Sequence, residues 1–316
     1  MKMEFDQEAK QRLYQRLSEI LDSEQILFNE EMSAHTTFRA GGKADIFVEI
    51  DTSAQLGSVL AALRAEGLSR LNEDFYLLGN GSNVLVSDKG IQGVVLHLSK
   101  AFSNIKVQNT TLVCEAGATL AQVARKACEY ALTGFEFAAG IPGSIGGAIV
   151  MNAGAYGGEM RQVVERVRLM TFDGTLIEKS GAEMNFAYRH SLVKEQPLIV
   201  LEVTLALAHG NQEEIQAKME DLASRRREKQ PLEYPSAGST FKRPEGYYAG
   251  KLIEEAGLRG FSVGGAQVSE KHCGFVINKN NATAADIQAL IMEVQRRVYA
   301  SAKVVIEPEV ILLGFD

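Results

Sequence analysis

Residues 140–148 read Gly140-Ile141-Pro142-Gly143-Ser144-Ile145-Gly146-Gly147-Ala148, and Asn152-Ala153-Gly154-Ala155-Tyr156-Gly157 begins after three intervening residues. The block lies in the longest uncharged stretch of the chain, residues 137–158. Roughly 20 residues can span a bilayer as a helix. Glycine and proline fill this stretch, however, and predict loops and tight turns instead. Glycines in such number suit close approach of backbone to a large flat ligand better than mere flexibility, because a missing Cβ lets other atoms come near.

A second segment, Leu78-Gly79-Asn80-Gly81-Ser82-Asn83-Val84, sits between predicted strands at 75–78 and 84–87. Its two glycines permit positive φ, and its small polar residues leave backbone N–H groups open. Such a turn can cradle a pyrophosphate. It is not the Rossmann fingerprint: a third glycine is missing, and a strand rather than a helix follows. No GxxxxGK[ST] occurs anywhere, which excludes a P-loop. Taken alone, the segment fits an ordinary hairpin turn better than a phosphate cradle.

Periodicity places the elements around these blocks. A helix is expected over 7–22, with Leu13, Leu17, Ile20 and Leu21 on one face. A strand at 44–50 puts Ile46, Val48 and Ile50 on one side, and a helix at 53–66 is capped by Ser53 and stopped by Gly67. A strand at 94–98 completes a β-α-β-β unit. A second unit holds strands from 105 and at 112–115, a helix at 120–131 and the glycine block. It closes with a hairpin about Asp173-Gly174 and a strand at 199–207. A third unit holds helices at 211–229 and 247–256, a strand at 274–277, a helix opened by Thr283 with Asp286, and a last strand at 304–313. The fold class is α+β. The expected division is 1–103, 104–210 and 211–303, with 304–316 packing back onto the first part.

Composition narrows the function. A chain of 316 residues with 46% hydrophobic and 23% charged residues is an ordinary globular protein of two or three domains. Its net charge of -7 argues against nucleic-acid binding, which needs a basic surface. Cys114, Cys128 and Cys273 show no CxxC spacing and read as three reduced, buried thiols. Five histidines without HExxH spacing give no metal site. The charged start of the chain lacks the apolar run of a signal peptide. A cytoplasmic protein, independent of membranes and monomeric, is expected.

The blocks together carry a resemblance. His35-Thr36-Thr37-Phe38-Arg39-Ala40-Gly41-Gly42, the Gly79–Asn83 turn and the block from Gly140 to Gly157 resemble the FAD-binding half of the UDP-N-acetylenolpyruvoylglucosamine reductases. The likeness continues in order through Tyr188-Arg189-His190-Ser191, Ala237-Gly238-Ser239-Thr240-Phe241-Lys242 and Glu307-Pro308-Glu309-Val310. It implies a two-subdomain FAD-binding fold of the vanillyl-alcohol-oxidase type, followed by a smaller substrate-binding domain. The FAD contacts it implies are Arg39, Gly79, Asn80, Gly81, Ser82, Asn83, Gly140, Ile141, Pro142, Gly143, Ser144, Gly146, Gly147, Ala148, Asn152 and Gly154. The implied reaction uses NADPH, through FAD, to reduce the enolpyruvyl ether of UDP-N-acetylglucosamine to a lactyl ether.

By the same resemblance Arg189, Ser239 and Glu309 are the catalytic set. A planar guanidinium suits the substrate carboxylate. Ser239 is the proton donor, with Lys242 near enough in sequence to ease an alkoxide. Glu309 hydrogen-bonds the enolic carboxylate, and alternation along the last strand places Glu307 and Glu309 on one face. Read without the resemblance, these are a surface arginine, a turn serine and two solvated carboxylates. Substrate contacts are implied for Tyr188, Arg225, Lys229, Lys242 and Arg243. Between Ser224 and Gly260 eight basic residues stand against five acidic ones, a local charge of +3 that suits a pyrophosphate. A helix end favoured by its dipole explains Arg225 to Arg227 nearly as well. The short spacing from Ser239 to Gly264 resembles the subclass without a tyrosine-bearing lid, for which Tyr247 or Tyr248 is a partial stand-in.

Three other readings stand beside this one. Ser239-Thr240-Phe241-Lys242 fits the SxxK of serine acyl-transferases, although SDN and KTG partners are absent. The glycine blocks alone fit a non-catalytic nucleotide-binding module. A flavin enzyme oxidising an unrelated alcohol is the third.

Overall fold

A computed structural model describes residues 7–315. Met1–Asp6 and Asp316, which include the outer limits of the expected division and the first residues of the charged N-terminus, lie outside the described residues. The chain divides into two compact units. The first comprises 1–28, 46–79 and 93–224; the second comprises 29–45, 80–92 and 225–316.

The first unit carries helices α1 (Gln7–Ser18), α2 (Ser53–Ala65), α3 (Leu120–Glu129) and α4 (Ile145–Met151), and most of α5 (Gln212–Lys229). One four-stranded sheet has the order 26–31, 43–50, 91–98, 75–78. A second, wholly antiparallel sheet runs 176–180, 164–171, 198–206, 111–115, 105–108. Cys114, Val203 and Val167 stand opposite one another on three adjacent strands of it, and none has any exposure. Burial pushes the Cys114 thiol up to about 12, so it stays protonated. Cys128 and Cys273 are likewise buried and unbridged, their thiols pushed up by burial.

Two local readings are corrected here. Helix α2 is capped by Thr52, whose hydroxyl accepts from Gln55 N–H at 3.1 Å, and not by Ser53. The cap must have extended backbone, which Thr52 has, while Ser53 is already helical. The glycine block, expected as loops and turns, contains helix α4. Ser144 caps it by accepting from Gly147 N–H, and Asn152 ends it in a left-handed conformation. Two glycines weaken an isolated helix by about 1 kcal/mol each. Packing overrides this: a Cβ on Gly146 would lie 2.9 Å from that of Ala116.

The second unit carries α6 (Ala249–Glu255), α7 (Ala284–Ala302) and a small antiparallel sheet, 262–263, 266–268, 276–278. Phe38, Leu85, Phe241, Ile253, Leu290 and Val294 share its core. Helix α7 has the expected capping box of Thr283 and Asp286. Asp88 adds a carboxylate that accepts from Ala284 and Ala285 N–H, each at 2.8 Å, where the helix dipole favours an anion. Residues 311–313 pair in parallel with 84–86. The strand expected over 304–313 is thus confined to its last three residues. Pro308 lacks an N–H and makes only an isolated bridge with Phe241. Among the described residues no helix is long and apolar enough to cross a membrane.

Candidate active site

In the first unit, Arg189 lies in a turn that closes on itself. Ala187 and His190 exchange backbone hydrogen bonds, each of 3.2 Å, and Arg189 between them has φ 55°. Its guanidinium carbon lies 5.1 Å from the centroid of the Tyr188 ring, which is exposed. Gly140, Pro142 and Gly147 are also exposed, and Ile141, Gly143 and Gly154 are half-buried. Ser144, Gly146, Ala148 and Asn152 are buried. The first N–H groups of α4 are taken internally: Ile145 donates to Ala118, Gly146 to Ala116 and Gly147 to Ser144 Oγ. Gly79 meets this block, because a Cβ there would stand 2.7 Å from Ser144 Oγ.

In the second unit, the Asn80–Asn83 turn packs against the segment that carries Arg39. Thr37 N–H donates to Gly81 O at 3.1 Å, and a Cβ on Gly81 would lie 1.9 Å from the His35 carbonyl oxygen. Gly81 also has φ +57°, so glycine is required twice over. Among the described residues no acceptor takes the N–H groups of Gly81, Ser82 or Asn83. Open N–H groups in a tight polar turn, packed against the segment on which Arg39 is exposed, fit the phosphates of a dinucleotide such as FAD.

The same unit joins Asn83, Glu309 and the Ser239 segment. Asn83 Nδ2 donates to Glu309 O at 3.1 Å, and Ile311 N–H donates to Asn83 O at 3.0 Å. Glu309 N–H donates to Thr240 O at 2.8 Å. Thr240 is fully buried, its hydroxyl accepting from Val276 N–H at 2.9 Å and its own N–H donating to Gly274 O at 2.9 Å. Ser239, next to it, is exposed.

Glu307 and Glu309, which flank the Phe241–Pro308 bridge, differ in exposure. Glu307 is exposed and pairs with Lys242 Nζ at 2.9 Å, which holds its carboxyl below the usual range. Glu309 Oε2 is buried. Lys242, expected to ease a Ser239 alkoxide, therefore has a carboxylate partner of its own. Arg243 Nε donates to Tyr247 O at 3.3 Å, and its guanidinium carbon lies 4.0 Å from the centroid of the exposed Tyr248 ring. Arg225 and Lys229 are exposed near the end of α5.

Two family descriptions match the chain. "FAD binding domain" covers residues 44–180, and "UDP-N-acetylenolpyruvoylglucosamine reductase, C-terminal domain" covers 230–313. A UDP-N-acetylenolpyruvoylglucosamine reductase of Caldanaerobacter subterraneus subsp. tengcongensis is 51% identical, over 96% of this chain and 98% of its own. The chain belongs to the UDP-N-acetylenolpyruvoylglucosamine reductase family.

Other members agree. The reductase of Clostridioides difficile is 48% identical over 97% of this chain and 99% of its own. The solved UDP-N-acetylenolpyruvylglucosamine reductase of Thermus caldophilus superposes with a TM-score of 0.76 at 33% identity, over 92% of this chain and 98% of that one. The fold is the α+β, FAD-binding architecture with a smaller C-terminal domain that the motifs implied. Sequence reasoning named the family's conspicuous residues but not the buried hydroxyls next to them in sequence, Thr240 and Ser191. Ser191 stood in plain view in Tyr188-Arg189-His190-Ser191, and its signal is a polar side chain with no exposure.

Proposed function

We propose that this chain reduces UDP-N-acetylglucosamine enolpyruvate to UDP-N-acetylmuramate with NADPH, through bound FAD, in the synthesis of peptidoglycan precursors. The observation that carries this is the match to curated reductases over nearly the whole of both chains. When bound, FAD supplies the two-electron chemistry, by which hydride equivalents from NADPH reach the terminal carbon of the enol ether.

The chain's own residues handle charge and proton. Arg189 receives the substrate carboxylate, into which negative charge spreads as the double bond is reduced. A fixed donor to such a charge is worth about 3–4 kcal/mol. Ser239 Oγ gives its proton to the carbon beside the carboxylate as that carbon becomes basic. An exposed hydroxyl on a segment pinned by Thr240 suits this role. Glu309 hydrogen-bonds the enolic carboxylate. Its backbone is held from both sides, by Asn83 and by Thr240. Lys242, Arg243, Arg225, Lys229 and Tyr188 meet the anionic substrate. Asn80–Asn83, Arg39 and the exposed part of the Gly140–Gly147 block hold FAD.

We place the enzyme in the cytoplasm as a monomer, in the subclass without the tyrosine-bearing lid, where cell shape and division depend on its product. The division 1–103, 104–210 and 211–303 is kept as a proposal, supported at its end by the pairing of 311–313 with 84–86. Anaerobic titration tests the function. NADPH should bleach the flavin absorbance of the purified protein, and UDP-N-acetylglucosamine enolpyruvate should restore it. A colourless protein, or one whose colour that substrate does not restore, defeats the proposal.

A further inference from the structure

The turn that carries Arg189 is fastened on both of its sides to the end of helix α4. Asn152 caps that helix at φ 43° and is only 1% exposed. Its side chain is committed to protein partners. Oδ1 accepts from Arg161 N–H at 3.0 Å, and Nδ2 donates to Glu159 Oε2 at 2.9 Å and to Ala187 O at 3.0 Å. Ala187 opens the turn. Just after the turn, Ser191 has no exposure, and its Oγ donates to the carbonyl of Val150 at 3.0 Å. Arg189 lies between these two fastenings.

Asparagine suits the position on two grounds. An amide offers an acceptor and two donors in one plane, and asparagine tolerates left-handed backbone. Aspartate would keep the shape but lose both donations, and would set a second carboxylate against Glu159. Arginine at φ 55° is also uncommon. Such backbone persists where its surroundings over-determine it. We infer that Asn152, together with Ser191, is a positioning residue that aims Arg189 at the substrate carboxylate, a role beyond the FAD contact expected of it. The inference rests on the reading of Arg189 as partner of that carboxylate.

The test compares Asn152→Asp, Ser191→Ala, Arg189→Ala and the two double variants with wild type, as FAD-loaded enzyme. Rapid mixing follows bleaching by NADPH and recovery with the enolpyruvyl substrate, and calorimetry measures Kd for UDP-N-acetylmuramate. Ser191→Ala should keep FAD content and bleach within twofold of wild type, and the rates of Asn152→Asp are taken per bound FAD. Recovery should slow by about 10- to 100-fold, the scale of a misplaced charged group. Product Kd should rise about tenfold. In the Arg189→Ala background the same changes should add less than twofold, since their effect passes through the missing guanidinium. Ser191→Thr should restore the rate. Multiplying effects in the double variants, or equal slowing of both half-reactions, overturns the inference. If Asn152→Asp loses FAD, Ser191→Ala decides alone by the same criteria. An Arg189→Ala variant with unchanged Kd and recovery signals failure of the underlying reading instead.

Discussion

The side-chain amide of Asn83 donates to the backbone carbonyl of Glu309 at 3.1 Å, across 226 residues of sequence. A residue of the turn proposed to hold phosphate thus helps to locate a residue proposed to meet the substrate. Replacing Asn83 by alanine removes one hydrogen bond, worth about 1 kcal/mol net. Recovery of flavin absorbance with the enolpyruvyl substrate should slow about 5- to 10-fold in Asn83→Ala. Stopped-flow absorbance measures this, and an unchanged rate would deny Asn83 any part in placing Glu309.

Ser239 is exposed beside the fully buried Thr240. Ser239→Ala should fold normally, because Ser239 is exposed. Bleaching by NADPH should stay intact, while recovery with substrate slows by orders of magnitude. Equal slowing of the two half-reactions would contradict the proton-donor role.

At Gly81 the backbone is both left-handed and crowded. Alanine there would bring a Cβ to 1.9 Å from the His35 carbonyl oxygen, at φ +57°. The turn must shift, at a cost of about 2–4 kcal/mol. Gly81→Ala should lower the melting temperature and reduce the FAD recovered per chain by absorbance at purification. Full FAD content would show that this turn does not hold the cofactor.

Acid stability should depend on Glu136. It is 3% exposed, and burial alone would raise its carboxyl. Hydrogen bonds from Thr133 Oγ1, Gly134 N–H and Lys218 Nζ outweigh that and hold it below the ordinary value. A depressed folded value means that the unfolded chain binds the proton more readily. The stabilisation is therefore complete above the unfolded value of about 4.3 and is lost as pH falls through the folded one. Melting temperature measured from pH 7 to pH 3 should fall less steeply on the acid side for Glu136→Gln than for wild type. Parallel curves would exclude Glu136 as a source of that slope.

Much of the fold was legible where a local signal was strong. Thr283 and Asp286 announced a helix start, and Asp173-Gly174 announced a hairpin that pairs 164–171 with 176–180. The misreadings have tertiary causes. Helix α4 is glycine-rich because Gly146 must fit against Ala116, a reason no window of sequence contains. The segment before Ile311 alternates like a strand, yet Pro308 leaves it only one bridge, to Phe241. The short strands 262–263 and 266–268 are too brief for any period to register. For the site, motifs named Arg189, Ser239 and Glu309, and Asn152 only as an FAD contact, whereas the bonds of Asn152, Ser191 and Thr240 to distant backbone lie outside any local window.

The left-handed backbone at Arg189 sets robustness against chemistry at a single codon. An L side chain in that region costs roughly 1–2 kcal/mol, from which glycine is exempt. Random drift under selection for heat resistance alone should therefore enrich glycine at 189, at the expense of the charge. Populations that must build a wall should retain arginine and tolerate the weaker scaffold.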